Sequence, residues 1–176
     1  MPELPEVDTI ARDLRVGNLE RGPSVVGRIV TGFETDWPRH LDGLRPRAFR
    51  ERIVGQRIED VRRRGKYIVF DLSRDCLLVH LRMSGDLIVA PASSPRDKHD
   101  HTILILDDGH ELRFNDTRKF GRVHLTANIE DVTGDLGPEP LDPAFTPRQL
   151  GALLAGRKRA LKPLLLDQSF LAGIGN

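Results

Sequence analysis

Pro2 carries the most distinctive chemistry in the chain, because removal of Met1 leaves it as a free amino terminus. An α-amino group titrates near ~8, so a useful fraction is neutral and nucleophilic at physiological pH, unlike a typical lysine. Its nitrogen is a secondary amine, and attack on an aldehyde-like carbon gives a charged iminium that drives elimination. Glu3 lies beside it and Glu6 one helical turn on. Those carboxylates could shuttle protons, or could merely favour the positive end of a helix. Lys66 follows Arg62-Arg63-Arg64-Gly65, a cationic setting suited to phosphate, although an ordinary strand-end lysine looks the same. In His99-Asp100-His101 two imidazoles alternate as metal ligands on a strand would, yet no third ligand is near, so no metal is expected here.

Longer strings narrow these choices. Met1-Pro2-Glu3-Leu4-Pro5-Glu6-Val7 is followed in order by Arg64-Gly65-Lys66-Tyr67, by His80-Leu81-Arg82-Met83-Ser84-Gly85 and by Lys98-His99-Asp100-His101. Then come Asp116-Thr117-Arg118-Lys119-Phe120-Gly121, Leu136-Gly137-Pro138-Glu139-Pro140-Leu141, Leu161-Lys162-Pro163-Leu164 and Gly173-Ile174-Gly175-Asn176. The ordered set resembles the bacterial formamidopyrimidine-DNA glycosylases, the Fpg branch of the Fpg/Nei family, from end to end of the chain. The resemblance implies a bifunctional DNA glycosylase/AP lyase of base-excision repair. Its substrates would be oxidised purines, 8-oxoguanine and formamidopyrimidines, in damaged double-stranded DNA.

On that resemblance Pro2 is the Schiff-base nucleophile, Glu3 the general acid/base and Glu6 a supporting carboxylate. Lys66 contacts phosphate and assists β-elimination. A stacked base is out of reach until its nucleotide is flipped out, and the hole must then be filled. Met83, Arg118 and Phe120 match the family's duplex wedge; Met and Phe suit insertion between bases, and Arg suits the widowed partner. On a strand, Arg118 and Phe120 would share one face. His99, Arg118, Lys158, Lys162 and Asn176 match DNA contacts. Three positions depart from the family: Arg82 stands where glycine is common, and Thr117 and Lys119 replace a more usual proline and arginine. The endonuclease VIII-like branch, which favours oxidised pyrimidines, is the same-fold alternative, although Leu4-Pro5 resembles the Fpg branch better. A damaged-DNA-binding module without chemistry is the alternative from another class.

Composition sets bounds on these readings. The 176 residues are 39% hydrophobic and 30% charged, enough for a buried core, and a net charge of +1 excludes a globally basic coat for nucleic acid. Only 5% are aromatic, too few for a base-stacking platform that binds single-stranded RNA. Arginine outnumbers lysine 22 to 5, which favours bidentate contacts with phosphate or carboxylate. One cysteine, Cys76, leaves no disulfide framework and no CxxC zinc site. The resemblance nevertheless implies one zinc ion in the full-length protein, in a C-terminal finger beyond Asn176. The first twenty residues carry five acids, unlike a signal peptide, and no apolar run is long enough for a membrane helix. With these bounds, the resemblance implies a cytoplasmic, monomeric protein associated with the bacterial nucleoid, with no membrane partner.

The elements that must position these groups follow from periodicity and punctuation. Pro5, the stripe Val7, Ile10, Ala11 and Leu14, and then Gly17 predict a helix over 5–17. Period-two patterning predicts strands at 24–33, 56–64, 66–73, 76–82, 86–90, 102–107, 110–115 and 121–127, with a hairpin at Asp108-Gly109 and a short helix over 46–54. The expected fold class is α+β: an N-terminal β-sandwich with flanking helices over 1–132, then a linker at 133–145 with two glycines and three prolines. Thr146-Pro147-Arg148-Gln149 reads as a capping box opening a helix that Gly156 stops, and another helix starts near Pro163. Residues 146–176 thus resemble the first part of a helix–two-turn–helix domain. Basic side chains cluster at 45–66 (nine against three acids) and at 143–166 (five against none), and could wall a cleft for a polyanion.

Overall fold

The computed structural model describes residues 2–176; Met1, and with it the expected processing step, lies outside the described residues. Helix α1 spans Leu4–Val16, with Glu3 as N-cap and Pro5 in the first turn. Its face of Val7, Ile10, Ala11 and Leu14 is buried, and Gly17 ends it at φ +78°. The strands are β1 (Val30–Thr35), β2 (Leu41–Asp42), β3 (Ile58–Arg64), β4 (Tyr67–Leu72), β5 (Cys76–His80), β6 (Gly85–Pro91), β7 (Asp100–Leu106), β8 (His110–Asp116) and β9 (Arg122–Thr126). Helices α2 (Pro46–Ile53), α3 (Glu130–Thr133), α4 (Pro147–Leu154) and α5 (Leu161–Leu165) complete the set.

Two sheets form, in the orders β1-β7-β8-β6 and β2-β9-β5-β4-β3; all pairs are antiparallel except β2 with β9. Alternating apolar residues of both sheets, with the apolar face of α1, make one buried cluster, the arrangement expected of a sandwich. Helix α1 packs on β3 and β4, so its first turn sits beside the β3–β4 hairpin. Helix α2 packs on β1, its Phe49 ring 4.6 Å from that of Phe33. A smaller cluster gathers Leu164, Phe170 and Leu171 with half-buried Phe145, Leu150 and Ile174 in the helical part. No helix among the described residues is long and apolar enough to cross a membrane.

Departures from the sequence expectations have local causes. The strand expected over 24–33 starts only at Val30: Gly27, at φ +85°, turns the chain and donates to Ile58 O, while Val25 donates to Leu14 O. Strand β5 stops at His80 rather than residue 82, because Arg82 adopts φ +55°. Arg118 and Phe120 do not lie on a strand; they belong to the turn between β8 and β9, where Lys119 adopts φ +60°. Thr133, the first residue of the expected linker, is buried at the end of α3. The Thr146–Gln149 capping box forms, but α4 ends at Leu154, two residues before Gly156. Pro163 lies inside α5, in a first turn whose N–H groups have no helical partner anyway.

Candidate active site and duplex-facing surface

Four distant segments meet at the start of α1. The β3–β4 turn, with Gly65 at φ +57°, delivers Lys66 to the helix N-terminus, where its Nζ is ion-paired with Glu3 Oε2. Glu6 reaches back to accept the Glu3 N–H at 2.9 Å. Backbone N–H groups of Glu3 and Glu6 hold the Glu6 carboxyl below the usual carboxylate range. Glu3 and Glu6 line one wall of an open cleft of about 640 Å3, Pro140 and Leu141 another, and Ile174 and Asn176 close it. Pro2, half-buried, directly precedes the Glu3 wall.

Glycine is required at this meeting point. A Cβ on Gly175 would overlap the Glu3 carboxylate, and one on Gly173, at φ +88°, would come 2.8 Å from Leu4 Cδ1. The 173–176 turn therefore presses directly on the start of α1. Gln168 holds it there, its Oε1 accepting from Gly173 N at 2.8 Å and its Nε2 donating to Ile174 O at 2.9 Å. The Gln168 and Pro138 carbonyls accept from Gly137 N and Ala172 N, which ties in the 136–140 segment.

Glu139 fastens the same segment to the β3–β4 turn. Its carboxylate accepts from the Gly65 N–H, from Arg63 Nη1 at 2.7 Å and from Arg64 Nη1 at 3.1 Å. Burial alone would push its carboxyl up; the Gly65 N–H and the two guanidinium groups outweigh that and hold it below the usual range. Sequence reasoning missed both Glu139 and Gln168 as parts of the site, since their partners lie far away in the chain.

The expected wedge residues come from two loops. Met83 is 44% and Phe120 47% exposed, unusual for large apolar side chains, and the Arg118 guanidinium lies 5.1 Å from the centre of the Phe120 ring. Asp116, fully buried, organises both loops. The Ser84 hydroxyl donates to its Oδ1 at 2.6 Å, the Arg118 N–H to the same oxygen at 3.2 Å, and the Gly121 N–H to Oδ2 at 2.7 Å. Burial works against this carboxylate, but those donors prevail and keep its carboxyl below the usual range. Among the described residues, Arg82 and Lys119 are the non-glycine positions with positive φ; each adjoins an expected wedge residue, so backbone strain is concentrated here. Lys119 Nζ also stacks 4.4 Å from the centre of the Trp37 ring, a contact with no sequence signal.

The two regions adjoin through β5. His80 pairs with Tyr67, the residue after Lys66, and its Nδ1 accepts the Arg82 N–H at 3.1 Å. Burial first, and the Arg82 and Lys66 charges after it, push the imidazole down to about 4. His99 is half-buried and its carbonyl accepts the Asp116 N–H at 2.9 Å, which places it next to the wedge. The stretch that carries it is clasped by buried Arg113, which donates to Pro91 O, Ser94 O and Pro95 O while paired with Glu111 at 2.8 Å. Lys158, between α4 and α5, and Lys162, in α5, are exposed in the helical part.

Within the basic run 45–66, Arg47 pairs with Glu51, Arg52 with Asp75, Arg62 with Asp71, Arg63 with Asp8 and Glu139, Arg64 with Glu139 and Lys66 with Glu3, so six of its nine cations are engaged by carboxylates. As for a metal, no group of three His, Cys, Asp or Glu among the described residues is disposed to hold one, and the thiol of Cys76 leans on Asp71 at 3.7 Å.

Comparison with known proteins agrees with this arrangement. The family described as the formamidopyrimidine-DNA glycosylase N-terminal domain matches residues 1–123. The formamidopyrimidine-DNA glycosylase of Geobacillus kaustophilus is 44% identical over 181 residues, covering 100% of this chain and 64% of that protein. The enzyme of that name from a Roseiflexus species is 46% identical over 183 residues, covering 100% of this chain and 63% of the relative. The chain thus spans just under two thirds of the length of these relatives. Lactococcus lactis Fpg in complex with DNA containing an abasic site superposes with a TM-score of 0.86 at 31% identity, covering 99% of this chain and 63% of that one. The same protein bound to DNA containing an oxidised pyrimidine gives 0.86 at 32%, covering 99% and 64%.

Proposed function

Because the chain belongs to the formamidopyrimidine-DNA glycosylase family, we propose that it carries the Schiff-base chemistry of a bifunctional DNA glycosylase/AP lyase acting on damaged double-stranded DNA. The observation that carries this reading is the Glu3–Lys66 ion pair next in sequence to Pro2, with Glu3 also lining the open cleft at the start of α1. A carboxylate and an ammonium in contact, at the base of a nucleophilic terminus, supply a proton acceptor and a phosphate-attracting cation within one site.

In the proposed route the Pro2 nitrogen attacks C1′ of the damaged nucleotide as the base leaves, forming the C–N bond and breaking the glycosidic bond. Loss of a proton from nitrogen and opening of the sugar give the iminium. Glu3 is suited to exchange protons with the sugar oxygen, and Glu6, through the Glu3 N–H, fixes where the Glu3 backbone stands. Deprotonation at C2′ then expels the 3′ phosphate, β-elimination, with Lys66 beside the departing charge. Met83, Arg118 and Phe120 fill the gap left by the flipped nucleotide, while His99, Lys158, Lys162 and Asn176 hold backbone phosphates. Oxidised purines are the proposed substrates, and the site of action is the nucleoid in the bacterial cytoplasm, with the protein acting as a monomer.

Borohydride trapping tests this reading. Incubation with duplex DNA containing 8-oxoguanine should yield a covalent adduct whose peptide maps to Pro2. The absence of an adduct from protein with a mass-verified Pro2 terminus would overturn it. Because a neighbouring structure holds an oxidised pyrimidine, duplexes with that lesion belong in the same experiment. Faster trapping on the pyrimidine would assign the endonuclease VIII-like preference instead.

A further inference from the structure

We propose that His40 is a positioning residue for duplex opening: from the core side it supports the Asp116 carboxylate that organises Ser84, Arg118 and Gly121. This rests on the wedge role given above to Met83, Arg118 and Phe120. His40 is fully buried, its ring 4.8 Å from that of Phe114, and it is the last residue of the short helical turn Pro38–His40. Its Nε2 has no partner at normal hydrogen-bond distance and faces Asp116 Oδ2 at 3.5 Å. Its Nδ1 lies 3.1 Å from Thr102 Oγ1.

Proton counting fixes how that imidazole acts. Thr35 uses its single hydroxyl proton on His101 O at 2.9 Å and receives the Trp37 N–H at 3.2 Å. The Thr35 and Thr102 hydroxyls lie 3.1 Å apart, so Thr102 keeps a proton that either Thr35 Oγ1 or His40 Nδ1 can accept. If it gives that proton to Nδ1, His40 carries its own on Nε2, aimed at the carboxylate. The other tautomer would set a nitrogen lone pair against a buried anion, an arrangement that costs free energy in a low-dielectric interior. Burial also pushes the imidazole down to about 4, so near neutrality His40 is a neutral Nε2–H donor. Asp116 then has donors on the wedge side and His40 behind it. Movement of the carboxylate would displace the residue after Met83, Arg118 itself and the residue after Phe120 together.

The test compares wild type, His40→Leu and His40→Gln in the intact protein; glutamine retains an N–H near the Nε2 position, leucine retains only volume. Two readouts separate positioning from bulk folding. Borohydride trapping on a single-stranded abasic oligonucleotide requires no duplex opening, whereas trapping on a lesion-containing duplex does. The Leu variant should lose about tenfold on the duplex and nothing on the single strand, and Gln should restore most of the loss. Equal loss on both substrates, no loss with Leu, or no rescue by Gln would overturn the proposal. Amide exchange at Arg118 and Gly121 should rise in Leu and not in Gln, whether or not any adduct forms. If the wild type traps nothing, the glycosylase reading falls and the exchange pattern alone decides the role of His40. Should the Leu variant not fold, His40→Met, which also lacks the N–H facing Asp116, must show the same duplex-only loss and the same exchange.

Discussion

Glu139 accepts the backbone N–H of Gly65, the residue immediately before Lys66. The segment that leads into the helical part of the chain is thereby fastened to the turn that presents the lysine to Glu3. Arg63 and Arg64 complete the fastening from the same turn, so one carboxylate satisfies three donors. Placement of Lys66 depends on this junction as much as on β3 and β4.

Glu139→Gln should therefore destabilise the chain by about 2 kcal/mol, since it leaves Arg64 without its carboxylate and Arg63 with Asp8 alone. Denaturant unfolding followed by circular dichroism measures this. Abasic-site trapping should fall in parallel, and a variant as stable as wild type would show that the ion pairs contribute nothing net.

Gly175→Ala tests the contact between the 173–176 turn and Glu3. A methyl group there overlaps the carboxylate, so the turn or the acid has to move. Trapping should drop at least about tenfold while far-UV circular dichroism is unchanged, because the displacement is local. Wild-type trapping rates in this variant would mean the turn has no part in placing Glu3.

Arg82→Gly removes a side chain from a left-handed backbone position. Relief of that strain should raise the unfolding free energy by about 1 kcal/mol, read as a higher melting temperature. An unchanged or lower value would indicate that the Arg82 side chain contributes more to the loop than its backbone geometry costs.

Acid should weaken the fold well before the carboxylates titrate. His40 and His80 are held neutral down to about 4, whereas unfolded histidines protonate near ~6.5. Between those values the unfolded state binds more protons, so stability is full above pH ~6.5 and declines as pH falls toward 4. Unfolding free energies measured from pH 7 to 4.5 should show this slope, and His40→Gln should flatten it. A wild-type profile that is level across that range would contradict the buried-neutral assignment.

Asp75 acts lower on the scale. The Arg52 hydrogen bonds first, opposed by burial and assisted by Gln56, hold its carboxyl below the usual range. Its contribution is present above the unfolded value near ~3.9 and is lost as pH falls through the depressed folded value. Asp75→Asn should lower stability at neutral pH and shrink the acid-induced loss below pH 4, a difference that acid titration followed by fluorescence or circular dichroism would resolve. Equal acid arms in both proteins would argue against the pairing with Arg52.

What the sequence revealed and what it hid divide along the distance between partners. Helix α1 was legible because Pro5, the Val7-Ile10-Ala11-Leu14 stripe and Gly17 are local signals, and Asp108-Gly109 announced its hairpin in the same way. Strand ends at His80 and before Val30 were not, since a left-handed Arg82 has no glycine to mark it and Gly27 turns a run that otherwise alternates. Pro2, Glu3, Glu6 and Lys66 stood out by residue type and by motif. Glu139, Gln168, Trp37 and His40 did not, because each acquires its partner only when distant segments close. The charge of the basic run 45–66 was only partly legible: Glu51, Asp71 and Asp75 lie in or near it, but Asp8 and Glu139 reach Arg63 only when distant segments close.

The Arg113 clasp changes what kind of object the 91–99 stretch is. With Pro91 O, Ser94 O and Pro95 O tied to one side chain that is itself 2% exposed, the stretch has no slack to take up. Added or deleted residues there would be transmitted to β7 and to the Asp116 backbone bond instead of bulging into solvent. For anyone regrafting this surface, His99 has to be treated as part of the sheet, and its spacing from β8 is a fixed dimension.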